Sequence, residues 1–286
     1  MKYLAHYVII GALCFSGILS YAFYKKSISE EKEILENATY NLVKTWELPE
    51  LLNEVSGIAW INDSILACIQ DEEGVIYNYN LKTEEIVFDV QFSEAGDYEG
   101  VALNDTDAYV LRSDGRIYEV LNFMSDSISV SHFDTPFNED NNLESLTYNP
   151  KTKNLITVSK DEDLKEKNFK GLYEIPIATK IQKKSPVIKI DMNAEAFASF
   201  QKKKAEKTFN PSDIAIHPKS GDYYIVDGKN PKLLILSASG TFKDLHQLNK
   251  FHFAQPEGIT FSPDGKIYIA NEAANGVATI MEVTFD

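Results

Sequence analysis

The sequence is poor in the residues that cross-link small proteins or bind nucleic acids. Its 286 residues include only 2 cysteines, Cys14 and Cys68, so a framework of disulfide bonds is excluded as the basis of the fold. Lysine and arginine total 28 against 43 aspartate and glutamate residues, which gives a formal net charge of -15. Phosphate backbones repel such a surface, so nucleic acid is excluded as a partner and cations are favoured instead.

Motifs that mark common enzyme classes are also missing. The sequence contains no GxSxG nucleophile elbow, no HExxH metal-binding helix and no glycine-rich phosphate loop. Its 5 histidines are scattered over the leader and over predicted outer strands, turns and links. No general base therefore stands out, and we assign no catalytic residue.

The one long apolar run lies at the N-terminus. Residues 4–24 are almost uncharged and are flanked by Lys2, Lys25 and Lys26, a length and flanking pattern typical of a membrane anchor or an export signal. Both alternatives place the remaining chain outside the cytoplasm, either anchored and facing the periplasm or cell exterior, or secreted after cleavage. The predicted parts are a signal peptide or membrane anchor over 1–26, a polar tether over 27–41 and a folded domain over 42–286.

The folded part repeats a pattern about every 45 residues, which is the length of a propeller blade. Each unit has a small or acidic residue, a short apolar run, a turn rich in Asn, Asp, Pro or Gly, and further β-branched or aromatic runs. We predict an all-β, five-bladed β-propeller, with six blades as the alternative if the longer third unit contains another. The five units begin at Ser56, Glu99, Glu144, Ser212 and Glu257.

The two ends of the domain complement each other. The fifth unit ends without room for a fourth strand, while residues 42–48 form a strand-like run before the first unit. Pairing of these two parts would remove the open edges of the ring, so we predict closure by the N-terminal strand.

The link between the third and fourth units is the longest one. Residues 194–206 are rich in helix formers and include Lys202, Lys203 and Lys204, so we predict a short helix. It is either a solvated surface helix or a lid whose lysines balance the acids or meet an anionic ligand.

Acidic residues recur at two positions of the repeat. One set starts the inner strands, the other ends the second strands about 15 residues later, and both positions lie at one end of a propeller axis. Carboxylates facing one axis repel one another and are costly to bury without a cation. Because oxygen ligands without a His or Cys cluster favour Ca²⁺ over Zn²⁺, we predict a central calcium site formed by Glu99, Glu144 and Glu257. Weaker candidates for metal or ligand contacts are Ser56, Asp71, Ser212, Asp227 and Glu272.

A simpler interpretation of the same acids stays open. They could cap turns and solvate the mouth of the channel, or pair with the nearby Lys160 and Arg112. The metal hypothesis and this one differ in whether an external cation is needed.

Five short segments follow one another along the chain, EVSGIAW, DYEGVAL, NLESLTYNP, PSDIAIHP and PEGITFSPDGKIYIANE. This ordered series resembles the SdiA-regulated family of β-propellers. The resemblance covers roughly residues 42–286 and implies an exported or membrane-associated propeller that binds calcium, a role that falls here on Glu99, Glu144 and Glu257. Ser56 and Ser212 stand where the other repeats have acids, a departure from a fully symmetrical site.

These observations support two functional hypotheses. The first is a cell-envelope binding or scaffold protein with a central calcium ion, whose partner is an anionic small molecule or an envelope component and whose N-terminal segment contacts the membrane. The alternative is a calcium-dependent hydrolase of phosphate esters or lactones, since the pattern is more distantly similar to propeller phytases and calcium-dependent lactonases. Fold alone does not carry an activity across.

Overall fold

The described part of the chain forms five four-stranded antiparallel sheets. The computed structural model describes residues 38–274 and 276–285, and within them the chain begins with β1 (Tyr40–Glu47). Blade 1 contains β2 (Val55–Asn62), β3 (Ile65–Gln70), β4 (Val75–Asn80) and β5 (Glu85–Gln91). Blade 2 contains β6 (Tyr98–Asn104), β7 (Asp107–Arg112), β8 (Arg116–Leu121) and β9 (Ser129–Asp134).

The remaining three blades follow the same strand order. Blade 3 contains β10 (Thr147–Asn149), β11 (Asn154–Val158), β12 (Phe169–Pro176) and β13 (Ile188–Asp191). Blade 4 contains β14 (Pro211–Ile216), β15 (Tyr223–Asp227), β16 (Lys232–Leu236) and β17 (Phe242–Gln247). Blade 5 contains β18 (Pro256–Phe261), β19 (Ile267–Asn271) and β20 (Thr279–Phe285), with β1 as its outer strand.

This architecture confirms the all-β fold with five blades, and the longer third unit adds no sixth sheet to the described residues. In blade 5, β1 pairs antiparallel with β20, so that Tyr40 lies opposite Phe285 and Glu47 opposite Thr279. Tyr40 and Asn41, which the sequence analysis assigned to the tether, belong to this strand. The leader predicted over 1–26 lies outside the described residues. Over the described ranges, no helix has the length and apolar character needed to span a membrane.

The hydrophobic core lies between neighbouring blades. Between blades 1 and 2, Ile69 and Ile76 pack with Val101 and Val110, and all four are buried. The middle strands therefore contact a blade on both faces and contain nearly continuous apolar runs, whereas most side chains of the outer strand β9 are exposed. Burial of these faces between blades holds the inner strands in a ring around the axis.

Glycine at the start of the inner strands permits their close approach. A Cβ atom on Gly100 would lie 3.0 Å from the backbone nitrogen of Leu146, and one on Gly258 would lie 3.1 Å from the backbone nitrogen of Ile58. Each of these glycines follows an acidic residue in the repeat, so the close packing brings those acids towards one another at the axis.

The long link between blades 3 and 4 does not form the helix predicted over 194–206. It contains two separate 3₁₀ turns, Glu195–Phe197 and Ala205–Lys207. Phe197 is fully buried and packs against Phe209, just before the first strand of blade 4, with ring centroids 5.7 Å apart. Tertiary packing of this aromatic side chain outweighs the local helix propensity of the segment.

Candidate functional site

An acidic pocket lies where the inner strands begin around the axis. It has a volume of about 110 Å³, well below the roughly 300 Å³ at which small-molecule pockets begin. Six carboxyl groups and one ammonium group line it. The lining residues are Glu54, Val55, Ser56, Asp71, Glu99, Glu144, Lys160, Gln255, Glu257 and Glu272.

The ammonium group of Lys160 lies between two of the predicted calcium ligands. Its Nζ forms an ion pair with Glu144 Oε2 and lies 3.8 Å from Glu257 Oε1. The three side chains are only 8%, 5% and 7% exposed. Burial by itself lowers the pKa of Lys160, but Glu257 and Glu144 reverse this and raise it overall. The sequence-based alternative in which the acids pair with Lys160 therefore holds for Glu144 and Glu257, while Arg112 pairs with Asp114.

The carboxyl groups around Lys160 are costly to ionise. Burial, followed by repulsion from Glu144, raises the pKa of Glu99 to about 10. Burial also raises the pKa of Glu257 to about 8, and it raises the pKa of Glu144 despite the contact with Lys160. One ammonium group therefore does not compensate these three acids, and protons or another cation must balance the remainder.

A second group of acids also lines the pocket. Burial and then hydrogen bonding with Glu54 raise the pKa of Glu272 to about 7, and Gln255 Nε2 donates a hydrogen bond to Glu272 Oε2. Burial and the nearby Glu54 raise the pKa of Asp71 to about 6. This group consists of Glu54, Asp71 and Glu272, whose mutual repulsion adds to the effect of burial.

Six of the eight predicted site residues line the axial pocket, and two, Ser212 and Asp227, do not. Ser56 lines the pocket, but its hydroxyl donates to Tyr98 O at 2.6 Å. Ser212 donates in the same way to Pro256 O at 2.6 Å and does not line the pocket. Both serines thus connect the inner strand of one blade to that of the next.

Asp227 is the other residue that lies away from the pocket. It is fully buried, and its Oδ2 pairs with Lys232 Nζ at 2.7 Å. Its oxygens also accept backbone N–H groups of Asn210 and Asn230. Asp227 therefore stabilises the end of blade 4 where β15 turns into β16, because a lysine five positions later in the chain neutralises its charge.

The sequence analysis missed Glu54 and Gln255 as pocket residues. Both stand two positions before the residue that begins a repeat and directly before the first residue of an inner strand. A polar residue at this position is not by itself a signal for the pocket, because all five repeats have one and only Glu54 and Gln255 line the pocket. The other three are Asp97, Asn142 and Asn210.

Asp213 is a further buried acid that the repeat pattern did not single out. Its Oδ1 accepts the backbone N–H of Ile214 and its Oδ2 accepts that of Ile259, each at 2.8 Å. Burial raises the pKa of Asp213 well above its usual range. It joins the inner strands of blades 4 and 5 and does not line the axial pocket.

The pocket fits calcium in its donor chemistry. Its carboxylate oxygens are the hard ligands that Ca²⁺ prefers, and Glu257 Oε2 and Asp71 Oδ1 are buried without a hydrogen-bond partner in the structure. The spacing is less suited, since the described part of the chain contains no group of three Asp, Glu, His or Cys side chains arranged to hold a metal ion. Binding of an ion would require the carboxylates to draw closer together.

The fold and this pocket define a class of protein, a five-bladed β-propeller with an acidic axial pocket. A family model described as SdiA-regulated matches residues 31–275. The chain belongs to the SdiA-regulated family, which confirms the resemblance seen in the sequence. No curated protein matches the chain in sequence.

Solved structures of similar fold include several enzymes. Glutaminyl cyclase of Myxococcus xanthus is 12% identical with a TM-score of 0.57, and the match covers 86% of this chain and 96% of that one. A luciferin-regenerating enzyme is 9% identical with a TM-score of 0.54, covering 84% and 95%. The PQQ-bound aldose sugar dehydrogenase of Streptomyces coelicolor is 13% identical with a TM-score of 0.53, covering 86% and 98%. At these identities the likeness shows the fold alone.

Proposed function

We propose that the chain is an exported cell-envelope binding or scaffold protein whose axial pocket binds Ca²⁺. The observation that carries this proposal is the excess of acid in the pocket, where six carboxyl groups share the single ammonium of Lys160. A divalent cation would offset the repulsion that raises the pKa values of these acids. The small volume of the pocket favours an ion over an organic molecule.

The bound ion would join several blades. Asp71 follows β3 of blade 1, Glu99 lies in β6 of blade 2, and Glu257 lies in β18 of blade 5. Glu272 follows β19 of blade 5, so these four side chains reach the pocket from three blades. A cation held by them would act as a central clip and stabilise the ring that presents binding surfaces to an envelope component or an anionic small molecule. The N-terminal segment would retain the protein at the membrane.

Calcium binding is tested by calorimetry and thermal unfolding of the full-length chain in mild detergent. The informative variant is Glu99→Gln/Glu257→Gln, which leaves Glu144 paired with Lys160. We expect saturable Ca²⁺ binding by the unsubstituted protein and, at a hundredfold excess over Kd, a rise in Tm of about 5–10 °C. The variant should lose both effects.

A control variant with the same change of charge is Glu85→Gln/Glu94→Gln, since both of these side chains are exposed. It should bind Ca²⁺ like the unsubstituted protein. Absence of saturable binding in the unsubstituted protein, or full binding by the axial variant, would refute the calcium proposal.

A second candidate function is calcium-dependent hydrolysis of phosphate esters or lactones. One observation favours it, because the pKa of Glu272 is raised to about 7, where a general base works best at neutral pH. The pocket is small for an organic substrate, so binding is the better-supported function. Hydrolysis predicts turnover of model phosphate esters or lactones that requires Ca²⁺ and is lost in Glu272→Gln.

A further inference from the structure

A basic cavity lies apart from the acidic axial pocket, at the end of blade 4 where β15 turns into β16. It has a volume of about 290 Å³, close to the lower limit for small-molecule pockets. The side chains used below come from the long link, from the turn between β15 and β16, from the first residue of β16, and from the segment after β17. They are Phe200, Lys202, Asn230, Lys232, Asn249 and Lys250.

The cavity contains more basic than acidic groups. Lys232 is 2% exposed at its side chain and pairs with the fully buried Asp227 at 2.7 Å. Over the described ranges, Lys202 and Lys250 form no ion pair with a carboxylate, and Lys250 Nζ donates only to Lys229 O at 3.1 Å. Burial and the two neighbouring lysines lower the pKa of Lys232, with Asp227 opposing them. Two ammonium groups thus remain unbalanced on a chain whose formal net charge is -15.

The remaining lining suits the other parts of a small organic anion. Asn249 Oδ1 accepts the backbone N–H of Phe251 at 2.9 Å, so the donor side of this amide is the one left for a ligand oxygen. The ring of Phe200 is partly buried, and its centroid lies 5.4 Å from Lys232 Nζ. The cavity therefore combines cationic and amide donors with an aromatic wall.

We propose that this cavity binds a phosphate monoester, with the phosphate held among Lys202, Lys232 and Lys250 and the organic group against Phe200. A phosphate monoester has a charge near -2 at neutral pH, which matches the two unbalanced ammonium groups. Lysine binds phosphate as a point charge, and three lysines line this cavity. The proposal stands independently of the calcium site.

The test measures binding of phenyl phosphate, inorganic phosphate and benzoate to the full-length chain in mild detergent, at constant ionic strength and with EDTA present. Calorimetry should show phenyl phosphate binding more tightly than inorganic phosphate, and benzoate binding most weakly. Lys202→Gln/Lys250→Gln should weaken phenyl phosphate binding about tenfold or more. Phe200→Ala should weaken phenyl phosphate binding but leave inorganic phosphate binding unchanged.

The matched control is Lys203→Gln/Lys204→Gln, which removes two adjacent exposed lysines that do not line the cavity. It should retain the affinity of the unsubstituted protein, and unchanged Tm values should show that all variants fold. An equal loss of affinity in the control, tighter binding of benzoate, or no phosphate binding would overturn the proposal. Because EDTA removes calcium, none of these results would decide the function of the axial pocket.

Discussion

The substitution Lys160→Met tests how the acidic pocket is balanced. Lys160 is the only basic side chain among the residues that line the pocket, and it contacts Glu144 and Glu257 while only 8% exposed. Methionine retains much of the side-chain length and apolar stem but removes the ammonium group. Both glutamates would then face the pocket without their cationic partner.

The expected cost follows from the burial of these groups. Removing one partner of a buried ion pair leaves an uncompensated charge and typically costs 3–5 kcal/mol. In a chain of this size each kcal/mol lowers Tm by about 2–4 °C, so we expect Tm to fall by about 10 °C or more without Ca²⁺.

The loss of thermal stability in Lys160→Met should depend on pH. Burial already raises the pKa of Glu257 to about 8 and that of Glu144 above its usual value, and loss of the ammonium raises both further. An acid with a raised pKa in the folded state binds protons more strongly there than in the unfolded chain, so its contribution to stability is fully present below its unfolded pKa and is lost as pH rises through its folded pKa. The difference in Tm between Lys160→Met and the unsubstituted protein should therefore be smallest near pH 5 and widen as pH rises through about 8, where Glu257 ionises in the unsubstituted protein but stays protonated in the variant.

The assay is thermal unfolding over this pH range, with and without Ca²⁺. The matched control is Lys167→Met, because Lys167 pairs with Glu162 on the surface and should leave Tm unchanged. Calcium should restore much of the stability that Lys160→Met loses, since the ion can replace the ammonium. A Lys160→Met protein as stable as the unsubstituted one at pH 8 without Ca²⁺ would refute this reasoning.

Three further predictions concern the packing that surrounds the site. Gly100→Ala should lower the free energy of unfolding by about 1–3 kcal/mol in denaturant titrations, because its Cβ would meet a neighbouring strand at 3.0 Å; the control Gly276→Ala, with its nearest contact at 3.7 Å, should have little effect. Ser212→Ala should cost about 1–2 kcal/mol by leaving the buried Pro256 carbonyl unpaired, whereas an unchanged denaturation midpoint would contradict that role. Burial lowers the pKa of Lys170 to about 8, so the folded state binds its proton less strongly than the unfolded chain. The stability of the unsubstituted protein relative to Lys170→Met should therefore rise by about 2 kcal/mol between roughly pH 8 and pH 10, and a flat difference would show that the lysine is not perturbed.

The prediction over residues 194–206 shows where local propensity stops being informative. The segment contains strong helix formers, yet its Phe197 packs with Phe209 and the chain forms two short 3₁₀ turns. A helical propensity of a few tenths of a kcal/mol per residue is small beside the burial of an aromatic side chain.

Repeat position was also an incomplete guide to which acidic residues line the axial pocket. Repeat position alone assigned Asp227 and Glu272 equally to the axis. In the structure Asp227 pairs with Lys232 at the end of β15, whereas Glu272 lines the pocket. The sequence analysis named Lys160 only together with Arg112 as an alternative partner of the acids. The sequence does not say which of several nearby cations a buried carboxylate contacts.

The sequence by itself determined the five repeats, the all-β propeller and the family, because strand periodicity and turn residues are local signals that recur in each unit. It also determined that Glu99, Glu144 and Glu257 share one pocket, since equivalent positions of a repeat meet at the axis. Only the tertiary structure decided that Lys160 lies between Glu144 and Glu257, and that Lys202, Lys232 and Lys250 line one basic cavity. Such charge pairing depends on distances between blades, which residues far apart in the chain establish together when the blades pack.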